Sequence, residues 1–211
     1  MTRRNIGIIG AGNMGRAFAT RLAAAGHDVS ITATNPAHAE EAAAQAGANA
    51  RAVRPDGISR NTDLLILAVA YADAADALRG AGDVAGKTIV DITNPVTPDY
   101  SGLALGFSTS AAEEIQKVVP TANVVKAFNT IFAQVLGGAP DGTRAQVLYA
   151  GDDAGAKAAV RALIESVGFE AVDSGPLANA RLLEPLGMLN IYIGYNAGRG
   201  TNIAPAWVPV A

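Results

Sequence analysis

The sequence contains no cysteine among its 211 residues, which excludes disulfides, thiolate nucleophiles and cysteine-ligated metals. Histidine is almost as scarce: the two present, His27 and His38, both lie near the N-terminus. A histidine-based triad or zinc centre has no material to be built from. Charge is also sparse, at 17% of residues, with no long run of either sign and a net of −3. A nucleic-acid or anionic-membrane partner would want a basic patch, so neither is expected. No stretch approaches the roughly 18 apolar residues of a membrane span. The opening "TRRN", apolar stretch and "AAAG" loosely imitate a secretion signal. Gly10, Gly12, Asn13, Gly15 and Arg16 interrupt its apolar part, so a cytoplasmic protein is expected.

What is present is apolar and periodic. Half of the chain is hydrophobic, enough for one sizeable core. Strands are predicted at 5–10, 28–33, 63–69, 87–92, 123–128, 145–151 and 169–174, several of them apolar without alternation, as in a parallel sheet covered on both faces. Between them lie helical patterns. Met14, Phe18 and Leu22 form one stripe over 13–25; Val160, Leu163, Ile164 and Val167 form another over 154–167, with Asp152 or Asp153 placed to cap its start. Alternation of this kind predicts an α/β fold, Rossmann-type and doubly wound, over residues 1–175. Residues 176–211 read as a small annex on the same domain: one long helix over 176–196 that Pro185 should kink or split, then an extended edge segment.

Gly10-Ala11-Gly12-Asn13-Met14-Gly15 matches G-x-G-x-x-G between a predicted strand and a predicted helix. The first glycine permits the tight turn, the second lets backbone approach a pyrophosphate, and the third lets helix pack on strand. A helix start of this kind offers free N–H groups and a positive dipole end to phosphates. An acid normally stands about twenty residues on, to hold ribose hydroxyls. Here that place is occupied by Thr34-Asn35-Pro36, with His38 after it. Neutral donors admit a 2′-phosphate that an acid would repel, which favours NADP(H) over NAD; the alternative is that Thr34 or Asn35 only caps the next helix.

The ligand in such a sheet crosses the carboxyl ends of the strands. Those ends are expected to present Val69-Ala70-Tyr71, Thr93-Asn94-Pro95, Ala127-Phe128-Asn129-Thr130 and Gly151-Asp152-Asp153. Lys126 stands one residue before that mouth, open to a ligand or to a surface carboxylate. Catalytic acids and bases are few there, and no tyrosine has a lysine four residues on. Alcohol dehydrogenases must move a proton as well as a hydride. A site of backbone and amides suits hydride transfer between two flat heterocycles, with no residue acting as proton shuttle and no metal.

The stretches "GIIGAGNMG", "DLLILAVAY", "VDITNP", "AAEEIQKVVPTANVVKAFNT" and "YAGDDAGAKAAVRALIESVGFEAVDSGPLANARLLEPL" resemble the NADPH-dependent coenzyme F420 reductases, or F420H2:NADP oxidoreductases. The resemblance implies reversible hydride transfer between NADP(H) and the deazaflavin coenzyme F420 or a related flavin. It implies that Ala11, Gly12, Asn13 and Met14 contact the pyrophosphate and that Thr34 and Asn35 meet the 2′-phosphate. Val69 and Ala70, with Tyr71 beside them, would flank the adenosine or ribose. Asn94, Pro95, Ala127, Phe128 and Asn129 would line the nicotinamide and deazaflavin pocket. The family pattern has serine or threonine followed by arginine where Thr34-Asn35 stands, and GGTGNLG in archaeal enzymes where this chain reads GAGNMG.

Two other functions fit parts of the pattern. A non-catalytic NADP-binding sensor or structural subunit would also lack catalytic residues. An imine or pyrroline-carboxylate reductase shares the GAGNMG-type start, but calls for a further helical dimerisation domain. Helix 177–196 carries apolar residues on several faces, which suggests a homodimer interface; the alternative is packing on the sheet alone.

Overall fold

The computed structural model describes residues 2–138, 144–208 and 210. Its strands are β1 (Asn5–Ile9), β2 (Asp28–Thr32), β3 (Ala50–Ala52), β4 (Leu64–Leu67), β5 (Thr88–Asp91), β6 (Asn123–Ala127), β7 (Gln146–Gly151) and β8 (Glu170–Asp173). All seven predicted strands form. The addition is β3, an Ala-Arg-Ala segment too short and too weakly apolar to announce itself. The strands make one sheet in the order β3-β2-β1-β4-β5-β6-β7-β8, parallel throughout except between β6 and β7. This is the doubly wound arrangement, with its crevice where the order reverses beside β1 and β4.

The helices are α1 (Asn13–Ala24), α2 (Pro36–Ala46), α3 (Tyr71–Arg79), α4 (Ala111–Val118), α5 (Ala133–Leu136), α6 (Ala154–Ser166) and α7 (Ala180–Ile191). Strand residues alternate between two core layers. Ile6, Ile8, Leu64 and Ile66 meet Phe18 and Leu22 of α1, Ala39 and Ala42 of α2, and Val160, Leu163 and Ile164 of α6. Ile9, Leu65 and Leu67 meet Leu78 of α3, Ile115 of α4 and Ala180 of α7. Gly15 sets how closely α1 approaches β1, since a Cβ there would overlap the carbonyl oxygen of Gly10. Asp153 caps α6 by accepting from the Ala156 amide at 2.7 Å, while Asp152 accepts from Leu177 at 2.9 Å.

Three expectations need correction. Because β7 runs antiparallel to β6, its carboxyl end lies level with the interior of β6, with Gly151 opposite Val125. Gly151-Asp152-Asp153 therefore stands at the far end of the sheet from the mouth. Secondly, Pro185 does not split the C-terminal helix: a 3-10 turn at Leu177–Asn179 leads into α7, which continues through Pro185 to a π turn at Tyr192–Asn196. Proline removes one donor here, and the burial of Leu183, Glu184, Gly187 and Asn190 holds the helix regardless. Thirdly, the tail adds no strand among the described residues. The Gln146 side-chain amide instead donates to Trp207 O at 3.1 Å and accepts from its N–H at 2.7 Å, replacing a ladder by one amide pair. Leu182 and Leu189 on α7, and Tyr192 in the turn after it, are more than half exposed, so the helix packs on the sheet by one face only.

Lys126 meets buried carboxylates, not a surface one. It is fully buried on β6, with Asp91 Oδ2 of β5 at 2.7 Å and Glu184 Oε1 of α7 at 2.8 Å. Its Nζ also donates to the Thr93 carbonyl at 2.7 Å. Glu184 in turn accepts from the first amides of α4, Ala111 N at 2.9 Å and Ala112 N at 3.2 Å. The surplus negative charge thus rests on the positive end of a helix. Burial pushes the Glu184 carboxyl above its ordinary range, against the pull of Lys126 and the Ala111 amide.

Two outcomes follow for stability. A methyl at Gly15 has nowhere to go, whereas one at Gly12 meets nothing within 4 Å. Gly15→Ala should cost about 1–3 kcal/mol in chemical denaturation, and Gly12→Ala should stay within about 0.5 kcal/mol. A carboxyl whose folded pKa is raised binds its proton more tightly in the native than in the unfolded chain. Wild type should therefore gain stability relative to Glu184→Gln as pH falls from neutrality toward 4.5, the ordinary value of the carboxyl, read from denaturation midpoints at each pH.

Candidate functional site

The three glycines of the first turn divide their work as the fingerprint requires. Gly10 has φ of 110°, and its N–H donates to Thr32 O at 2.8 Å, so the chain leaves β1 in a conformation that favours glycine. Gly12 is the N-cap of α1, with no side-chain cap and open space beside it. The first-turn amides of α1 are left for a ligand, and the absence of a Cβ at Gly12 lets an anion come close. Those features fit the pyrophosphate of a dinucleotide. Ala11 is buried; its carbonyl accepts from Arg16 Nε at 3.0 Å.

At the end of β2, Thr34 and Asn35 are exposed. Asn35 caps α2, its Oδ1 accepting from Ala37 N at 3.1 Å. The cap alternative is thus realised for the oxygen of Asn35. His38 is exposed on α2. Arg16 is tied to that same helix through Glu41 at 2.8 Å and Gln45 at 3.5 Å. After β4, Val69 lies against Gly10, and Ala70 is an N-cap of α3 without a side-chain cap. Tyr71 opens that helix half-buried; burial raises its hydroxyl pKa, helped by Glu114 and Glu184.

Farther along the mouth, β5 and β6 end in an amide pair. Asn94 Nδ2 donates to the Asn129 carbonyl at 2.7 Å, and Asn129 Nδ2 donates back to Asn94 Oδ1 at 3.0 Å. Asn129 Nδ2 also donates to Leu183 O of α7 at 2.7 Å, which fixes the orientation of its amide. Gly187 makes this contact possible: a Cβ there would lie 2.6 Å from Asn94 Oδ1 and 2.8 Å from Asn129 Nδ2. Between β6 and Asn129 the chain turns through Phe128 at φ of 59°, a conformation costing a side chain about 1–3 kcal/mol. Edge-on packing of its ring against Phe18 at 5.0 Å and Phe169 at 6.0 Å holds it there.

A cleft of about 580 Å³ joins the two halves. From the fingerprint it takes Asn13 and Met14; from the far end, Asn94, Phe128 and Asn129. Gly10, Ala11, Gly12, Gly15, Thr34, Asn35, Val69, Ala70 and Tyr71 do not line this cleft but belong to the β1, β2 and β4 ends. Pro95 and Ala127 do not line it either; both are buried. Sequence reasoning missed Asp99, Tyr100, Phe132, Gly187, Asn190 and Tyr195, which also line the wall. Gly187 and Asn190, a glycine and an amide inside an apolar helix, were the available signal. Phe132 and Tyr195 meet edge-on at 5.7 Å. Among the described residues, Asp99 is the only carboxylate in the lining, and no lysine, arginine or histidine joins it. Hydrogen bonds from the Thr97 and Ser101 hydroxyls and the Ser101 amide lower the Asp99 carboxyl to about 2. It is an anion near neutrality, not a proton donor. Among the described residues no group of three or more acidic, histidine or cysteine side chains is placed to hold a metal, and no helix is long and apolar enough to cross a membrane.

Comparison with known proteins agrees with this geometry. The family model described as NADP oxidoreductase coenzyme F420-dependent matches residues 5–95. A solved structure of a candidate F420-dependent NADP-reductase from Arthrobacter sp. FB24 is 31% identical, covering 93% of this chain and 96% of that one, with a TM-score of 0.80. The F420-dependent NADP reductase of Methanothermobacter thermautotrophicus is 29% identical over 92% of this chain and 93% of its own length. Metalloreductase STEAP3 of Rattus norvegicus is 33% identical over 86% of this chain, which spans 36% of that protein's length. The chain belongs to the family of coenzyme F420-dependent NADP oxidoreductases.

Proposed function

We propose that this chain transfers a hydride between NADPH and a flat flavin-type acceptor, with the deazaflavin coenzyme F420 as the first candidate. The observation that carries the reading is the cleft itself. It runs from the α1 start to the Asn94–Asn129 pair, and its one carboxylate is held as an anion. When bound, the reduced nicotinamide supplies the hydride. The first-turn amides of α1 would hold the pyrophosphate, with Gly12 leaving room. Thr34 and the free end of the Asn35 amide would meet the 2′-phosphate, and Val69, Ala70 and Tyr71 would flank the adenosine side. Asn94, Phe128 and Asn129 would orient the ring end, where two heterocycles react by proximity. The proton that balances reduction of the acceptor comes from water, since among the described lining residues no lysine, histidine or protonated carboxyl stands ready to deliver it.

Purified protein mixed with NADPH and each of coenzyme F420, FMN and FAD tests this directly. Loss of NADPH absorbance matched by acceptor reduction is expected, fastest with F420; no turnover with any of the three would sink the reading. A second outcome concerns the phosphate. Asn35→Arg places a bidentate cation where Asn35 now caps α2. It should lower KM for NADPH about tenfold with little change for NADH. The same variant should lose about 1 kcal/mol of stability with the cap, visible as a lower thermal midpoint.

A further inference from the structure

Three charged side chains stand behind the cleft and take no part in hydride transfer as proposed. Lys126 is 0% exposed, as is Asp91, and Glu184 is 2% exposed. Lys126 Nζ donates to the Thr93 carbonyl at 2.7 Å and ion-pairs with Asp91 Oδ2 at 2.7 Å and Glu184 Oε1 at 2.8 Å. Such a cluster is poorly explained by stability. Taking charges out of water is costly, and well-packed apolar residues in the same volume often do as well or better.

Its connections explain it instead. Each member of the cluster lies within three residues of a member of the amide pair or its support. Thr93, which gives its carbonyl to Lys126 and its N–H to Asp91 Oδ1 at 2.9 Å, precedes Asn94. Lys126 is three residues before Asn129 on the same strand end. Glu184 follows Leu183, whose carbonyl receives Asn129 Nδ2, and precedes Gly187 by three residues, within one turn of α7. Glu184 is itself anchored on the α4 amides. One ammonium thus fixes the β5 end, the β6 end and α7 relative to one another, and those three segments carry the amide pair.

We propose that the Asp91–Lys126–Glu184 cluster is the positioning device of the cleft floor, with Lys126 its central positioning residue: it holds the Asn94–Asn129 pair against α7 at the spacing at which the two ring systems react. This rests on the hydride-transfer reading, in that the amide pair is taken as the floor of the reacting end. In this reading the ion pairs of the cluster, which admit few alternative arrangements, supply the geometric specificity of the cleft floor.

The test replaces the cluster as a whole, so that no unpaired charge remains: Asp91→Leu, Lys126→Met and Glu184→Leu together. The triple variant should fold with a lower thermal midpoint than wild type, because the Thr93, Ala111 and Ala112 amides lose their acceptors, while kcat for NADPH oxidation falls about tenfold or more and KM for NADPH stays within about threefold. The side-chain amide protons of Asn94 and Asn129, followed by nuclear magnetic resonance without acceptor, should exchange about tenfold faster than in wild type. A folded triple variant with both turnover and amide exchange within about threefold of wild type would overturn the proposal. If the triple variant does not fold, Asp91→Asn and Glu184→Gln are read in the same way: faster amide exchange with lower kcat supports the assignment, and unchanged values overturn it. Amide exchange needs no acceptor. A wild-type protein that reduces nothing therefore defeats the functional reading while the exchange result still decides this one.

Discussion

The structure turns on one buried ammonium. Lys126 sits where β5, β6, α4 and α7 converge, and its partners come from segments far apart in the chain: Asp91, Thr93 and Glu184. A parallel sheet alone leaves its strand ends as loops that can shift against the layer above. Here the loop after β5 and the loop after β6 are joined to each other by amides and to α7 by charge, and the α4 amides close the remaining valence of Glu184. The left-handed Phe128 belongs to the same economy of form. Its backbone is unfavourable in isolation and persists because Phe18 and Phe169 enclose the ring while Asn129 is held from three sides.

The two ends of the cleft are built by different physics. At the α1 end, the proposed recognition relies on what is missing: no Cβ at Gly12, no side-chain cap, no acid at the end of β2. Backbone amides left free in this way are the groups that the phosphate oxygens of the proposed dinucleotide would meet, through charge-assisted hydrogen bonds. At the α7 end, the proposed recognition relies on side chains locked to one another. A pair of amides with their orientation fixed does not reorganise during reaction, which is the condition under which dipoles are most useful to chemistry.

The sheet was legible in the sequence because buried parallel strands leave apolar runs that no other element mimics at that length. The fingerprint was legible because each glycine answers a distinct steric demand, and Gly10, Gly12 and Gly15 meet those demands one by one. The direction of β7 was not legible. Nothing in "AQVLYAG" says which way it runs, and so Gly151-Asp152-Asp153 was assigned to the wrong end of the sheet. Lys126 was visible as a residue but not as a centre, because its carboxylates lie 35 residues before it at Asp91 and 58 after it at Glu184. The course of α7 through Pro185 shows the same limit. Local propensity argued for a break, and tertiary burial decided otherwise.

The reversal of the last two strands has a consequence for the field inside the cleft. Chain leaving β8 emerges at the far end of the sheet, so α7 must climb back toward the mouth and arrives there by its carboxyl-terminal half. α1, leaving β1 at the mouth, presents its amino-terminal turn. The cleft therefore lies between the positive pole of one helix, at Asn13 and Met14, and the negative pole of the helical run that α7 begins, at Tyr195 and Asn196. A molecule spanning it with its phosphates at the first and an electron-poor ring at the second has both ends aligned with the protein's own polarity. A ring becomes more cationic as it gives up a hydride, so that alignment improves in the direction of oxidation.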